Sequence, residues 1–110
     1  ELDWEDNEER QVFTDFVGRL GLLLEKRGLF VQRADFLHGD VPACLHAASL
    51  GRLGIACKIV ANACRHAGKK NAATVTREHL SKAVDVFAIP RGIVSKNPFK
   101  RSAAAELVIS

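Results

Sequence analysis

Two Cys-x-His pairs are the groups in this sequence whose types could bind a metal or form a catalytic nucleophile. They are Cys44-Leu45-His46 and Cys64-Arg65-His66, and His38 and Cys57 lie nearby in the chain. Both pairs fall in helical patterns, where residues two apart point to different sides and chelate one ion poorly. A Cys/His nucleophile also needs an orienting acid and an oxyanion site, which no neighbouring motif supplies. We therefore expect no metal site and no catalytic residue in this chain.

A nucleotide-binding loop is the next chemistry to test. The nearest segment is residues 63–70, which has alanine where the loop needs its first glycine and Lys70 where it needs a hydroxyl. The segment also has the pattern of a helix rather than of a loop after a strand. Since no pair of carboxylates stands out either, we expect these residues to hold no cofactor. Whether a longer parent protein is an enzyme stays open.

The basic residues are the remaining candidates for binding. Residues 1–51 contain five Lys/Arg and ten Asp/Glu, whereas residues 52–110 contain eleven and three, so the halves carry −5 and +8. Cations in the second half could contact DNA phosphates without reading base sequence. The alternative is that they only coat exposed helix faces. The cations considered are Lys58, Arg65, Lys69, Lys70, Arg77, Lys82, Arg91, Lys96, Lys100 and Arg101.

Composition indicates one folded domain. The chain has 110 residues, of which 47% are hydrophobic and 26% charged, and it contains only three prolines. Three cysteines do not make a disulfide framework, and no apolar run reaches the roughly 18 residues of a membrane span. We therefore expect a cytoplasmic protein. Because the first residue is Glu1 and the sequence has no methionine, we also expect it to be a piece of a longer chain.

The element that must position these side chains is a predicted helix over residues 52–67. It follows a Gly51-x-x-Gly54 turn and ends before Gly68. One side of this helix is apolar and rich in alanine, which allows neighbouring helices to approach closely. The other side carries Lys58, Asn62, Arg65 and Lys69. We expect a central helix with one core face and one basic face. The core face consists of Leu53, Ala56, Ile59, Val60, Ala63 and Ala67.

Three more helices are predicted around it. The first begins at the N-cap Asp6, has an apolar side (Val12, Phe13, Phe16, Val17, Leu20, Leu23 and Leu24) and stops at Gly28, with Gly18 and Gly21 as close-packing points. After an irregular stretch anchored by Leu29, Phe30, Val31, Phe36 and Leu37, a second begins at the N-cap Asp40, with Pro42 in its first turn. The fourth runs from the N-cap Thr76 to before Pro90, with Leu80, Ala83, Val84 and Phe87 facing the core. An irregular tail follows.

A known family shares several motifs with this chain in the same order. They are Trp4 before an acidic helix start, Phe13-x-x-Phe16, Leu45-His46-x-x-Ser49-x-Gly51-x-Leu53-Gly54, Val75-Thr76-x-x-His79-Leu80 and Asn97-Pro98-Phe99. In this order and spacing they resemble the C-terminal part of the TniB/TnsC family. These are AAA+ ATPases of DNA transposition, related in role to MuB. The resemblance covers nearly all of residues 1–101.

The resemblance implies a fold and a set of partners. It implies that residues 1–101 are an AAA+ helical lid domain, that residues 102–110 are a tail, and that the nucleotide-binding motifs precede Glu1. ATP and Mg would then belong to the intact parent. The family selects transposition targets by assembling as a ring or filament on double-stranded DNA and connecting a targeting protein to the transposase. The intact protein is therefore expected to be a homo-oligomer, whereas this piece alone could be a monomer.

The resemblance also implies site residues. A lid carries its second sensor, often an arginine, at the turn formed here by Gly51, Arg52 and Gly54. Gly54 stands where that arginine is expected, so Arg52 is the nearby candidate for its role. The implied DNA or partner contacts are Lys58, Arg65, Lys69, Lys70, Lys96, Asn97, Pro98, Phe99, Lys100 and Arg101.

We therefore predict an all-α, compact bundle of about four helices that acts as the lid of a transposition ATPase. Two alternatives stay open: a free-standing basic helical DNA-binding module, and the lid of another AAA+ class of the origin or clamp-loader type. An interaction scaffold without any ATPase parent is a third.

Overall fold

The described part of the protein is an all-α bundle. The computed structural model describes residues 1–27 and 35–100, and no strand occurs within those ranges. Four α-helices and one π-helical turn follow one another: α1 (Asn7–Lys26), α2 (Val41–Ser49), α3 (Leu53–Lys69), α4 (Arg77–Ala83) and the π-helical turn (Val84–Ala88). The predicted bundle of four main helices is confirmed. The predicted stop at Gly28, the anchors Leu29, Phe30 and Val31, the contact residue Arg101 and the tail 102–110 lie outside the described residues.

Helix α3 is the centre of the bundle. It contacts α1, α2, α4 and the π-helical turn. Its core face is buried as predicted, and the alanines in that face let the neighbouring backbones approach closely. Within the two described ranges no single helix is both long and apolar enough to cross a membrane, although α2 and α3 meet that test as a pair bent by 115°. The buried side chains of α3 are Ala56, Ile59, Val60, Ala63 and Ala67.

The end of α3 differs from the prediction. The helix continues through Gly68 to Lys69 instead of ending at residue 67. The amide of Lys70 closes it by donating to the carbonyls of His66 and Ala67. The chain then turns at Asn71, whose φ of 52° lies in the left-handed region that asparagine tolerates better than most residues. Asn71 therefore reverses the chain where the sequence suggested Gly68.

Helix α1 buries a narrower face than its apolar pattern predicts. Its N-cap Asp6 accepts hydrogen bonds from the amides of Glu8 and Glu9, as predicted. Phe13 and Val17 are fully buried, but Val12 and Leu23 are about half exposed (50% and 45%). The reason is position: α1 lies at the edge of the bundle, where a helix covers only one seam of its neighbours.

The starts of α2 and α4 are organised by different side chains. Pro42 lies in the first turn of α2 as predicted, but Asp40 makes no capping bond there, because its carboxylate accepts from Arg77 instead. Thr76 does cap α4, and its amide donates to Nδ1 of His79 at 2.9 Å. This reciprocal bond needs His79 with an unprotonated Nδ1, a requirement that the sequence pattern did not reveal.

We expect Ala63→Leu to lower the free energy of unfolding by about 1–3 kcal/mol, because a larger side chain has no space in a fully packed interface. Ala63 is fully buried on α3, whereas Ala61 on the same helix is exposed. Ala61→Leu, measured in parallel by urea unfolding, should change stability by less than about 0.5 kcal/mol. The double variant Lys69→Ala with Lys70→Ala should behave like Ala61→Leu. Equal losses from the buried and exposed substitutions would show that the faces of α3 are wrongly assigned.

Candidate functional site

The turn between α2 and α3 packs directly on the start of the chain. Gly51 has a φ of 71°, and a Cβ at this position would lie 2.2 Å from the carbonyl oxygen of Leu2. The amide of Leu2 donates to the carbonyl of Gly51 at 2.9 Å. Nε2 of His46 donates to the carbonyl of Leu2 at 2.6 Å, which fixes the proton on Nε2. Residue 51 must therefore be glycine for two reasons, its backbone conformation and this close contact.

Leu50 adds backbone strain to the same turn. It is the C-cap of α2 with a φ of 58°, and its side chain is 39% exposed. A bulky residue in the left-handed region is uncommon and costs about 1 kcal/mol or more. Two successive residues with positive φ thus form a tight turn whose outer side chain points to solvent.

An aromatic cluster anchors the start of the chain beneath this turn. The rings of Trp4, Phe13 and His46 contact one another, with centroids 5.0–6.3 Å apart. Arg10 donates from Nε to the carbonyl of Trp4 at 2.6 Å, and its guanidinium lies 5.0 Å from the centroid of the Trp4 ring. An open cleft of about 490 Å³ remains between residues 1–4 and the end of α2. The chain start and the turn therefore form one rigid corner.

The three residues predicted near a nucleotide all lie at this corner, but they differ in exposure. Gly51 is buried against Leu2, whereas Gly54 is exposed in the first turn of α3, where an added Cβ would have no neighbouring atom within 4 Å. Arg52 is the N-cap of α3; its side chain is 58% exposed, and its Nε lies 3.6 Å from the carboxylate of Glu1. An exposed guanidinium thus stands beside the positive end of a helix, an arrangement that favours anions.

A second feature is a groove between α3 and the segment that follows α4. We call it the basic groove; its volume is about 320 Å³, and it is lined by Lys58, Ala61, Asn62, Arg65, Val86, Phe87 and Arg91. Asn62 donates to the carbonyl of Lys58 at 2.9 Å and accepts from the guanidinium of Arg65 at 3.0 Å. The guanidinium of Arg91 lies 4.9 Å from the centroid of the Phe87 ring. The groove therefore combines cations from two separate elements.

The π-helical turn places one wall of this groove. The amide of Ile89 donates to the carbonyl of Val84, five residues earlier, so the helix widens here. Val86 and Phe87 line the groove as a result, although the sequence pattern assigned Phe87 to the core face. The sequence analysis included Arg91 among the basic residues but did not select it as a contact. No local signal could have paired it with α3.

Positive charge also surrounds the C-terminal half of α3. Burial lowers the pKa of His66, and the cations Lys69, Lys82 and Arg65 lower it further. Lys69 and Lys70 are both exposed at the end of this helix. The local field therefore resists another proton and favours an anion.

The Asn97-Pro98-Phe99 motif, in contrast, is built into the fold. The side-chain amide of Asn97 donates to the carbonyl of Ser81 at 2.8 Å and to the carboxylate of Asp85 at 3.0 Å. Its oxygen accepts from the amide of Phe99 at 3.0 Å. Phe99 is fully buried, and Asn97 is 6% exposed. In this structure both side chains are engaged by the chain itself and are not open to a partner.

Arg77 closes the motif from the other side. It donates to both carboxylate oxygens of Asp40 at 3.0–3.1 Å and to the carbonyl of Phe99 at 2.8 Å. Lys100 donates to the other oxygen of Asp85 at 2.6 Å. The bond from Lys100, followed by the bond from Asn97, lowers the pKa of Asp85 against the opposing effect of its burial. Of the predicted contacts in this region, Lys96 is exposed and Lys100 is committed to an ion pair.

The two Cys-x-His pairs do not form a common site. Cys44 is buried with its sulfur 3.7 Å from the carbonyl oxygen of Pro98, and His46 is committed to Leu2. Burial raises the pKa of the Cys64 thiol, which disfavours a thiolate. Among residues 1–27 and 35–100, no three His, Cys, Asp or Glu side chains are grouped so that they could hold a metal ion.

Comparison with known proteins finds no matching family model, no similar curated protein and no similar solved structure. The geometry and the motif resemblance are therefore the grounds for a function.

Asn97→Ala is expected to lower the free energy of unfolding by about 1–3 kcal/mol, since the carboxylate of Asp85 and the amide of Phe99 lose a buried partner. The neighbouring variant Lys96→Ala serves as the control, and it should be neutral because its side chain is exposed. Thermal unfolding followed by circular dichroism measures both. A neutral Asn97→Ala would mean that the motif is held by other contacts.

Lys69→Gln should raise the pKa of His66 towards its ordinary value, because one repelling charge is removed. An NMR titration of the imidazole Cε1–H signal measures this directly. Lys26→Gln, at the end of α1, is the charge-matched control and should leave the titration unchanged. A pKa that stays the same in Lys69→Gln would mean that burial alone lowers it.

Proposed function

We propose that this chain is the C-terminal helical lid of a TniB/TnsC-family AAA+ ATPase that regulates DNA transposition. The ordered motifs that resemble this family supply the family. The observation that carries the proposal is the corner where residues 1–4 pack on the turn before α3. In a lid, the chain arrives from the nucleotide-binding core at its first residues. A core that precedes Glu1 would therefore lie beside this corner.

The chemistry of the corner fits that position. Arg52 presents an exposed guanidinium, and Gly54 leaves the first turn of α3 open to an approaching group. The first amide groups of a helix lack acceptors within the helix, and they point, like the positive end of its dipole, towards an anion at this end. A nucleotide phosphate held by a neighbouring core is an anion of the right kind. Arg52 would then act where Gly54 replaces the expected sensor arginine.

Rigidity at the corner also supports the proposal. Leu50 is held in a strained conformation, and Gly51 tolerates no side chain. Strain that the surrounding packing maintains is common where a turn must present its groups in one fixed geometry. Because the chain start and the turn are hydrogen-bonded to each other, a movement of the preceding core would be transmitted to α3. Coupling of this kind is what a lid requires.

The proposal carries the partners of that family. The intact protein would bind ATP and Mg, form a homo-oligomer on double-stranded DNA in the cytoplasm, and connect a targeting protein to a transposase. The lid itself would contribute no catalytic group other than the charge of Arg52. Its remaining surfaces would contact DNA, a neighbouring subunit or a partner.

Arg52→Ala, introduced into the intact gene product, tests the proposal. We expect kcat for ATP hydrolysis to fall by about tenfold or more, since the loss of one preorganised charge at a reacting phosphate has effects of this size or larger. Arg19→Ala on α1 is the control, because Arg19 is also exposed and lies on a helix that does not form the corner. Its kcat should be unchanged.

Two results would contradict the proposal. An intact coding sequence without a Gly-x-x-x-x-Gly-Lys-Ser/Thr loop before this segment would remove the ATPase parent. An unchanged kcat in Arg52→Ala, in a protein that does hydrolyse ATP, would remove the role of Arg52.

A further inference from the structure

We propose that the basic groove binds the phosphate backbone of double-stranded DNA, with Arg91 and Arg65 as its principal contacts. This inference rests on the groove itself. It does not require an ATPase parent, because a helical module without one would carry the same groove.

The cations of the groove are available to a ligand. In the described ranges the ion pairs of the chain involve other residues, and Lys58, Arg65 and Arg91 have no carboxylate partner there. Arg77 and Lys100, by comparison, are committed to Asp40 and Asp85. The lining of the groove contains no acidic residue. A polyanion would therefore meet three uncompensated charges and release its counterions on binding.

Two of these cations are held in place before any ligand arrives. The hydrogen bond from Arg65 to Asn62 orients one guanidinium, and Asn62 is itself fixed by its bond to the carbonyl of Lys58. The ring of Phe87 supports the guanidinium of Arg91 from below. Ordering a long side chain in advance reduces the entropy lost on binding, and guanidinium groups suit the geometry of phosphate oxygens.

The arrangement of the charges favours a long, regular polyanion over a compact one. Lys58, Arg65 and Lys69 follow one another on α3 at steps of seven and four residues, so they lie about 10 Å and 6 Å apart along the helix axis. The row is therefore about 16 Å long. Arg91 adds a charge on the opposite wall of the groove. Phosphates repeat regularly along a DNA strand, whereas an acidic side-chain cluster of a protein would not normally follow such a row.

Duplex DNA fits the groove better than a single strand does. Proteins that bind single strands offer open aromatic faces on which bases stack. Phe87 is the only aromatic residue of the groove; it is half-buried, and Arg91 covers its exposed face. Contacts to phosphates alone position a duplex without reading its sequence. The groove should therefore bind duplexes of different sequence with similar affinity.

The experiment measures binding of the 110-residue chain to a fluorescein-labelled duplex of about 20 base pairs by fluorescence anisotropy, between about 50 and 200 mM salt. Three phosphate contacts predict a slope of about −3 in a plot of log affinity against log salt concentration. Arg65→Ala and Arg91→Ala should each make the slope less negative by about 1 and weaken binding at low salt about threefold or more. Arg19→Ala removes the same charge from the opposite part of the chain. It should change affinity less than about twofold, because it touches no phosphate.

The same measurements contain the results that would overturn the proposal. Failure of the wild-type chain to bind the duplex at about 50 mM salt would do so. Equal weakening by Arg19→Ala and Arg65→Ala would show an effect of net charge without a site. Tighter binding of a single strand of the same length, or stronger competition from polyglutamate than from unlabelled duplex, would assign the groove to another ligand. None of these results depends on ATP hydrolysis, so this proposal and the proposed function can fail separately.

Discussion

The close packing of helices on the alanine face of α3 is the constraint on which the rest of this structure depends. Ala56, Ala63 and Ala67 are fully buried, and α1, α2, α4 and the π-helical turn all contact this helix. Small side chains bring the neighbouring backbones near the axis of α3, and the polar side of the same helix must then remain outside. The burial of one face therefore produces the other feature of interest, a row of cations that cannot turn inward.

The two ends of α3 serve different purposes in this arrangement. At its N-terminal end the chain start, the strained turn and Arg52 form a rigid corner that offers a positive charge to an anion. Further along, the same helix forms one wall of the basic groove. Because both features belong to one helix that is fixed on its core side, their separation and relative orientation are set by the helix itself and not by a flexible connection.

Much of this could be predicted from the sequence because it depends on neighbours along the chain. The two faces of α3 follow from helical periodicity, and the caps Asp6 and Thr76 follow from residue types within one helical turn. The bonds that link distant elements could not be predicted in this way. Asp40 looks like a cap until Arg77, 37 positions away, is seen to take its carboxylate. The buried seat of Asn97 and the position of Arg91 opposite α3 depend in the same way on tertiary packing.

The π-helical turn has a consequence for how the protein could vary among its relatives. A π-helical turn holds one residue more than the α-helical path it replaces, and one residue corresponds to about 100° of rotation around a helix axis. Deletion of a single position between Val84 and Ala88 would therefore redirect everything that follows, including Arg91 and the Asn97 seat, while α1 to α3 kept their packing. Chain length at this one point thus acts as a selector of surface geometry that is independent of the core.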